Sequence, residues 1–478
     1  MKTKLIIRIP ANLDMDGLLS ERPPLSINKF NKNHLLFIAG QVFESMSNKD
    51  GNMKNTGFVK LKALYMKSKV RNYNQYLSYL IDAKVLESDG RYINGYEAKG
   101  YKFVGQCEEY SRVTIELDIR KPNADNGKPK FGTDKLDYGL TEQLDYLTKW
   151  FADERLRLDS GAMMVELESN RRKQLDILND EVLVSETEKV KRLSSIKRKY
   201  HRGLHIVDRI DRGVFVFGVD RKGFRLHTVL TAINRDYRKF FTFDGKPLIS
   251  LDIKNCQPYL ALCLFNSSFY FNPNKNNELE NENNKREMSI REIFFILNIF
   301  YYHNNTYSLM WRKSFELRVR QDFNSYMEIV TAGVFYDEIE KKLLSEFGRK
   351  FNERQELKDN VLLMMYSKNG YYWQKNNEGA ELKRQFKKMF PSIYEMFATA
   401  KMKDYTLLPC LLQTIESHLI LRVICKRISR ERPDVPLYTV HDSIATNEEN
   451  KDYVLSVMTE ELERNVGFAP KIKEEVWE

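Results

Sequence analysis

Cysteine is scarce in this 478-residue chain, and its five copies (Cys107, Cys256, Cys263, Cys410 and Cys425) are odd in number and form no C-x-x-C pair. That argues against a disulfide framework and a zinc ribbon, and it points to a reducing, cytoplasmic setting. No run reaches the roughly 18 uninterrupted apolar residues of a membrane-crossing helix, so no membrane partner is expected. The opening "MKTKLIIRIPANLDMDG" meets a proline and acids directly after a short apolar run, and so lacks the apolar core and small-residue cleavage site of a secretory leader. No repeat of about 20 to 50 residues is present. What the chain does have is apolar material: 42% hydrophobic residues beside 30% charged, enough for two or three domains with cores of their own. Lys plus Arg number 77 against 66 Asp plus Glu, a net charge of +11 with pI about 9.1, which leans toward a polyanionic partner.

After an N-terminal arm (1–26), residues 27–110 read as three helices and a hairpin. "INKFNKNHLLFIAGQVFESMS" and "GFVKLKALYMKS" have helical spacing; "NYNQYLSYLIDAKVLESDG" places Leu77, Leu80, Ile81 and Leu86 on one face before a glycine stop. "RYINGYEAKGYKFV" then offers two short aromatic strands around a glycine turn. This order resembles the winged helix-turn-helix domain of plasmid and phage replication initiators. The resemblance implies that the third helix reads base edges with Asn72, Asn74, Gln75 and Tyr76, while Arg91 and Lys99 or Lys102 lie along phosphates. A protein-protein role is the bland alternative. Residues 111–220 form a mostly helical connecting region whose basic end is either a solvated helix face or a thumb-like grip on a duplex backbone. The Asn-rich "NSSFYFNPNKNNELENENNKREM" reads as a surface insertion.

Two carboxylates stand at strand ends. Asp252 closes the apolar run of "LISLDIKNCQPYLAL" ahead of a helical pattern, and Asp442 lies in "DVPLYTVHDSIATN", where "SIAT" reads as a return strand and places the acid at a hairpin. A lone acid at such a place is usually a cap. Two on neighbouring strands can share divalent cations through oxygen ligands, which suits phosphoryl transfer. Between them, "FNERQELKDNVLLMMYSKNGYYW" carries Arg354, Lys358 and Tyr366 at offsets of four and eight, one face of a helix. Such a stripe can hold a triphosphate at one end and stack on a base at the other, although an amphipathic helix with solvated cations has the same spacing.

These stretches resemble, in order, the palm and fingers motifs of family A DNA polymerases and of the phage-type and mitochondrial single-subunit RNA polymerases, over about residues 221–460 of a palm and fingers domain expected at 221–478. "GFRLHTVLTAINRDYRKFF" is similar to the segment before the palm acid, which implies primer-template contacts for Arg225 and His227. "LISLDIKNCQPYLAL" resembles motif A, implying Asp252 and the Ile253 carbonyl as metal ligands. Arg354, Lys358 and Tyr366 have the motif B spacing, implying triphosphate contacts for the cations and a base-pair-side role for the tyrosine. "YTVHDSI" resembles motif C, with Asp442 as second metal ligand and His441 near the primer end, and Gln413 matches a glutamine of a further family helix. The implied fold is α+β: a winged helix, a helical middle segment, then a right-hand palm with an antiparallel sheet and helical fingers over about 264–405. The implied cofactor is Mg2+, two ions, with Mn2+ as a substitute. The implied partners are a nucleic acid template and primer and nucleoside triphosphates.

Three departures bear on substrate. The place five after Asp252 holds Gln257 instead of the glutamate that excludes a ribose 2′-hydroxyl in the DNA enzymes; its volume is nearly the same, so a steric gate survives. Motif C reads H-D-S, as in the RNA polymerases, so Ser443 stands where the DNA enzymes have a third acid. Leu362 replaces the fingers Phe or Tyr. "VTIELDIRK" carries Glu116 and Asp118 in the reverse of the proofreading exonuclease order and reads as a structural strand. The expectation is a DNA polymerase of a phage or mobile element; the alternatives are an RNA polymerase or primase, and a non-catalytic DNA-binding initiator.

Overall fold

The computed structural model describes residues 2–46, 57–61, 63–90, 99–105, 109–118, 136–137, 141–180, 185–267, 270, 299–374 and 377–478. Arg91, Cys107 and residues 271–288 of the Asn-rich stretch lie outside the described residues. The chain forms two compact units, Met1–Gly132 with Leu158–Phe215, and Thr133–Arg157 with Val216–Glu478. The stretch 111–220, read from sequence as one connecting region, is therefore divided between them.

In the first unit, strand β1 (Lys2–Pro10) precedes helix α1 (Lys32–Met46), strand β2 (Val59–Lys60), helices α2 (Ala63–Lys69) and α3 (Tyr73–Asp82), strands β3 (Leu86–Ser88), β4 (Gly100–Phe103) and β5 (Tyr110–Asp118), and the long helices α4 (Ser160–Asp180) and α5 (Glu186–Asp211). Strands β2, β4 and β3 make one small antiparallel sheet, and β1 pairs with β5. Strand alternation turns Ile7, Ile9, Ile115 and Leu117 into a core shared with Leu35, Ile38, Ala39 and Val42 of α1. Glu116 thus lies on a strand laddered to β1, as "VTIELDIRK" suggested.

One reading residue assigned from sequence is corrected here. Tyr76 is 0% exposed; its hydroxyl accepts the Asn31 amide at 3.0 Å, and its ring lies against Phe30 and His34. It shares a helix face with Leu80, four residues on, so packing claims it and no base edge can reach it. Asn74, Gln75 and Lys99 are exposed, Asn72 donates to Gln75 at 2.9 Å, and Lys102 pairs with Glu87 at 2.9 Å.

The second unit is built on a four-stranded antiparallel sheet. After short strands β6 (Gly218–Asp220) and β7 (Leu226–His227) come β8 (Ile249–Ile253), β9 (Tyr438–Val440), β10 (Ser443–Thr446) and β11 (Ile472–Val476), laid side by side as β9-β10-β8-β11. Ile249, Leu251 and Ile253 point to one buried face, with Ile444 opposite Leu251. Ser250 and Asp252 point to the other, beside Ser443, Lys473 and Glu475. Around the sheet lie helices α6 (Gln321–Thr331), α7 (Phe335–Phe347), α8 (Arg354–Tyr366), α9 (Glu378–Met389), α10 (Pro391–Ala400), α11 (Leu407–Ser417) and α12 (Lys451–Val466). The β9–β10 hairpin is backed by an aromatic cluster in which Phe151 meets Tyr438 edge-on at 5.3 Å and the Tyr438 hydroxyl donates to the Trp150 carbonyl at 3.1 Å. Among the described residues one helix, Leu407–Glu431, is long and apolar enough to cross a membrane, but 72% of its apolar window is buried, as for a core helix.

The first unit closes on a buried ion cluster. Arg8 donates through two nitrogens to Asp208, at 2.9 Å for the Oδ1 bond, and Arg112 reaches the same carboxylate at 2.7 Å and Asp211 at 2.7 Å. Removing the shared acid strands a buried cation. In the full chain, Asp208→Ala is expected to lower the unfolding free energy of this unit by about 3–5 kcal/mol. Asp211→Ala, at the exposed edge, is expected to cost about 1 kcal/mol or less. Urea melts of both variants check this.

Candidate active site

Strand alternation sets the first acid. With Leu251 and Ile253 buried behind, Asp252 must face front, directly opposite Ser443 on β10 and Lys473 on β11. The second acid comes from the two-residue connection His441–Asp442 of the β9–β10 hairpin, where His441 takes a left-handed φ of 56°. Asp442 precedes Ser443, the partner of Asp252, and its carbonyl accepts the Ile253 amide at 3.4 Å. The two carboxylates thus meet at one end of the sheet.

Burial raises the pKa of Asp252, and the charges of Asp442 and Glu475 raise it further, against Lys473 and Arg235. Burial also raises Asp442, followed by the charge of Glu416. A pair this reluctant to ionise together fits a site completed by a cation. Among the described residues no three His, Cys, Asp or Glu side chains form a metal-binding group. The oxygen donors at hand are the two carboxylates, and a Mg2+ ion held by so few protein ligands takes the rest from water and phosphate.

Beside the acids runs a hydrogen-bonded chain. The Tyr366 hydroxyl donates to Gln257 Oε1 at 2.9 Å, Gln257 Nε2 donates to Glu416, and Arg225 grips Glu416 through Nε and Nη2 at 2.8 Å each. Glu416 is 2% exposed; burial pushes its carboxyl up, and the Arg225 and Gln257 bonds oppose that. The Arg225 loop is itself held: Asp220 accepts the amides of Lys222, Gly223 and Arg225 and lies 3.3 Å from the His227 ring. Burial acts to raise Asp220, but these bonds hold it down to about 2. Gly223 lies so close to Gln413 that a Cβ there would sit 3.0 Å from the glutamine Cβ and Oε1. Desolvation of its ring by the surrounding site, with the charges of Arg225 and His227 behind it, pushes His441 down to about 4, although the residue stands exposed at the hairpin tip.

Arg354 and Lys358 lie over the Tyr336 ring, at 5.7 and 5.8 Å. Arg354 is also held by Asp337 at 2.7 Å and Glu340 at 3.4 Å. Ser443 turns its hydroxyl back to the Val440 carbonyl at 3.0 Å.

Asp252, Asp442, Gln257, Tyr366, Arg225 and His441 are therefore linked by these strands, bonds and charges, with Ile253 in the β8 ladder. Gln413, on α11, packs against Gly223 of the loop that presents Arg225, and His227, on β7, lies beside Asp220 of the same loop. Sequence reasoning missed Glu416, Glu475 and Tyr336. Glu416 left a signal: it is the lone acid in the largely apolar "LLPCLLQTIESHLILRVI", and a buried carboxylate needs a cation.

No family model matches the chain, and no curated protein matches it in sequence. Among solved structures it is similar to the POL domain of Pol1 from M. smegmatis in complex with DNA primer-template and dNTP, at 11% identity, with 68% of each chain covered and a TM-score of 0.40. At that level the likeness assigns no chemistry to this chain.

The half-buried Asp252 and the buried Glu416 predict opposite stability effects in chelator-treated protein. Asp252→Asn removes a like-charge contact and is expected to raise stability by about 1 kcal/mol. Glu416→Gln leaves Arg225 without its counter-charge and is expected to cost about 3 kcal/mol. Denaturant midpoints of the two variants decide it.

Proposed function

We propose that this chain is a template-directed nucleotidyltransferase of family A polymerase type that extends a 3′-hydroxyl with deoxynucleotides. The observation that carries this reading is the Tyr366–Gln257 hydrogen bond. It ties the residue five places after Asp252 to the end of the helix bearing Arg354 and Lys358, while Asp442, one residue before the cross-strand partner of Asp252, lies close enough for its charge to raise the Asp252 pKa.

The metal-binding residues would be Asp252, Asp442 and the Ile253 carbonyl, and two Mg2+ ions there would lower the pKa of the attacking hydroxyl and neutralise the leaving pyrophosphate. The chain's own side chains account for the rest. Arg354 and Lys358 bind the triphosphate once phosphate oxygens displace Asp337 and Glu340 from the arginine. Tyr366 flanks the nascent pair. Gln257, bonded at both ends of its amide, is a fixed wall on the sugar side. His441 at the hairpin tip and the Glu416-braced Arg225 steady the primer end.

The three helices and small antiparallel sheet of the first unit support a nucleic-acid-binding winged helix, with Asn74, Gln75 and Lys99 as exposed contacts. RNA synthesis is the second reading, favoured by Ser443, which offers the metals no acid.

Primer extension with Mg2+, with dNTPs and rNTPs supplied separately, tests this. Primed dNTP incorporation is expected, falling at least about 10^3-fold in the Asp252→Ala, Asp442→Ala double variant. Gln257→Ala is expected to raise relative rNTP use about tenfold, the equivalent of about 1.4 kcal/mol of discrimination. Undiminished incorporation by the double variant overturns the assignment.

A further inference from the structure

Two lysines are buried where the candidate site gives them no evident role. Lys383 of α9 is 0% exposed and Lys401, just past α10, is 4% exposed. Both point at the end of α8, the helix that carries Tyr366. Lys383 Nζ donates to the carbonyls of Ser367 at 2.9 Å and Lys368 at 2.8 Å, and to the Ser367 hydroxyl at 3.1 Å. Lys401 Nζ donates to the Ser367 carbonyl at 3.1 Å and to the Met365 carbonyl. The last carbonyls of a helix ordinarily find water, a glycine turn or an exposed cation. Here they find two dry amines.

We propose that Lys383 and Lys401 are positioning residues for sugar selection, a paired cage on the carbonyls flanking Tyr366 that fixes its hydroxyl on Gln257. The inference rests on the polymerase reading above. An exposed cap would satisfy the same carbonyls without desolvating two amines, so capping alone does not explain the arrangement. What the buried pair adds is a fixed location for the chain directly after Tyr366. The neighbouring segment is held by the same two helices: Asn369 Nδ2 donates to the Ala398 carbonyl at 2.7 Å, and Arg384 donates to the carbonyls of Tyr372 at 2.9 Å and Gln374 at 3.2 Å. Tyr366 therefore leaves α8 into a turn whose carbonyls are gathered from behind, while its hydroxyl reaches Gln257 in front.

The charge state is consistent with a pair acting as one unit. The titratable group facing each lysine is the other lysine, and the remaining contacts from α8 and its following turn are backbone carbonyls and the Ser367 hydroxyl. Burial pushes Lys401 down to about 6, with the Lys383 charge adding to it, and burial pushes Lys383 down to about 8. Near neutral pH the pair thus carries about one charge, and a neutral amine still donates to carbonyls. Below about pH 6 both become ammonium ions, and their repulsion loosens the cage.

The test is the ratio of kcat/KM for a dNTP to that for the matching rNTP in full-length wild type and in Lys383→Met, Lys401→Met, Tyr366→Phe and Lys401→Met/Tyr366→Phe variants, each checked for folding by its melt. The ratio is expected to fall about tenfold in Tyr366→Phe and in each lysine variant, with no further fall in the double variant. Folded lysine variants with the wild-type ratio overturn the proposal, as does a wild-type ratio in Tyr366→Phe. Should the methionine variants not fold, the wild-type ratio from pH 5.5 to 8.5 decides. Effects common to both sugars cancel, so a fall below about pH 6 supports the cage and a flat ratio overturns it. No incorporation of any nucleotide by wild type overturns the polymerase reading and this proposal with it; incorporation with an unchanged ratio overturns this proposal alone.

Discussion

The candidate site depends on one buried carboxylate. Glu416 has no water to hydrate its charge, so it must be met by Arg225 and Gln257, and those two contacts decide where much else lies. Arg225 is brought in by a loop wound around Asp220 and pressed against Gln413 at Gly223. Gln257 is brought in by the turn after β8, and with its amide nitrogen on Glu416 its oxygen is left to Tyr366. One desolvated charge thereby ties together the loop before the sheet, the strand that carries Asp252 and the far end of the helix bearing Arg354.

Asp252 and Asp442 are the counterpoise. They lie half-buried near one another with Glu475 and Glu416 in range, and the cations near them are largely engaged elsewhere: Arg225 with Glu416, Arg235 with Glu475. Glu416 is compensated from within the chain, whereas the aspartate pair is left acidic toward the front of the sheet. A polar site satisfied from within specifies structure; one left unsatisfied awaits something from outside. That contrast is why the aspartates read as ligands and Glu416 as a brace.

Much of this arrangement was legible in the sequence where a short-range period governs it. The alternation in "LISLDI" faces Asp252 forward, and the offsets from Arg354 to Tyr366 put both cations and the tyrosine on one helix. Tyr76 follows the same period, since its four-residue spacing from Leu80 marks it as core. Long-range pairings were not legible. The bond between Gln257 and Tyr366 spans 109 positions and that between Arg225 and Glu416 spans 191. No local pattern says which buried acid meets which cation. Nor could spacing show that Asp337 and Glu340 occupy Arg354, because they reach it from a different helix.

Backbone strain carries the same reading from an independent direction. Six described non-glycine residues take positive φ, a conformation that costs about 1–2 kcal/mol for an ordinary side chain. Three of them, Phe224, Asn255 and His441, lie one residue before Arg225, two before Gln257 and one before Asp442. A chain shaped by stability alone would place glycine at such positions, as it does at Gly213, Gly245, Gly348 and Gly467. At these three positions the side chain is kept and the strain tolerated, each time within two residues of one that the site must aim. The cost is local and the beneficiaries share one network, which is the pattern expected where geometry toward a ligand, and not packing, has set the backbone.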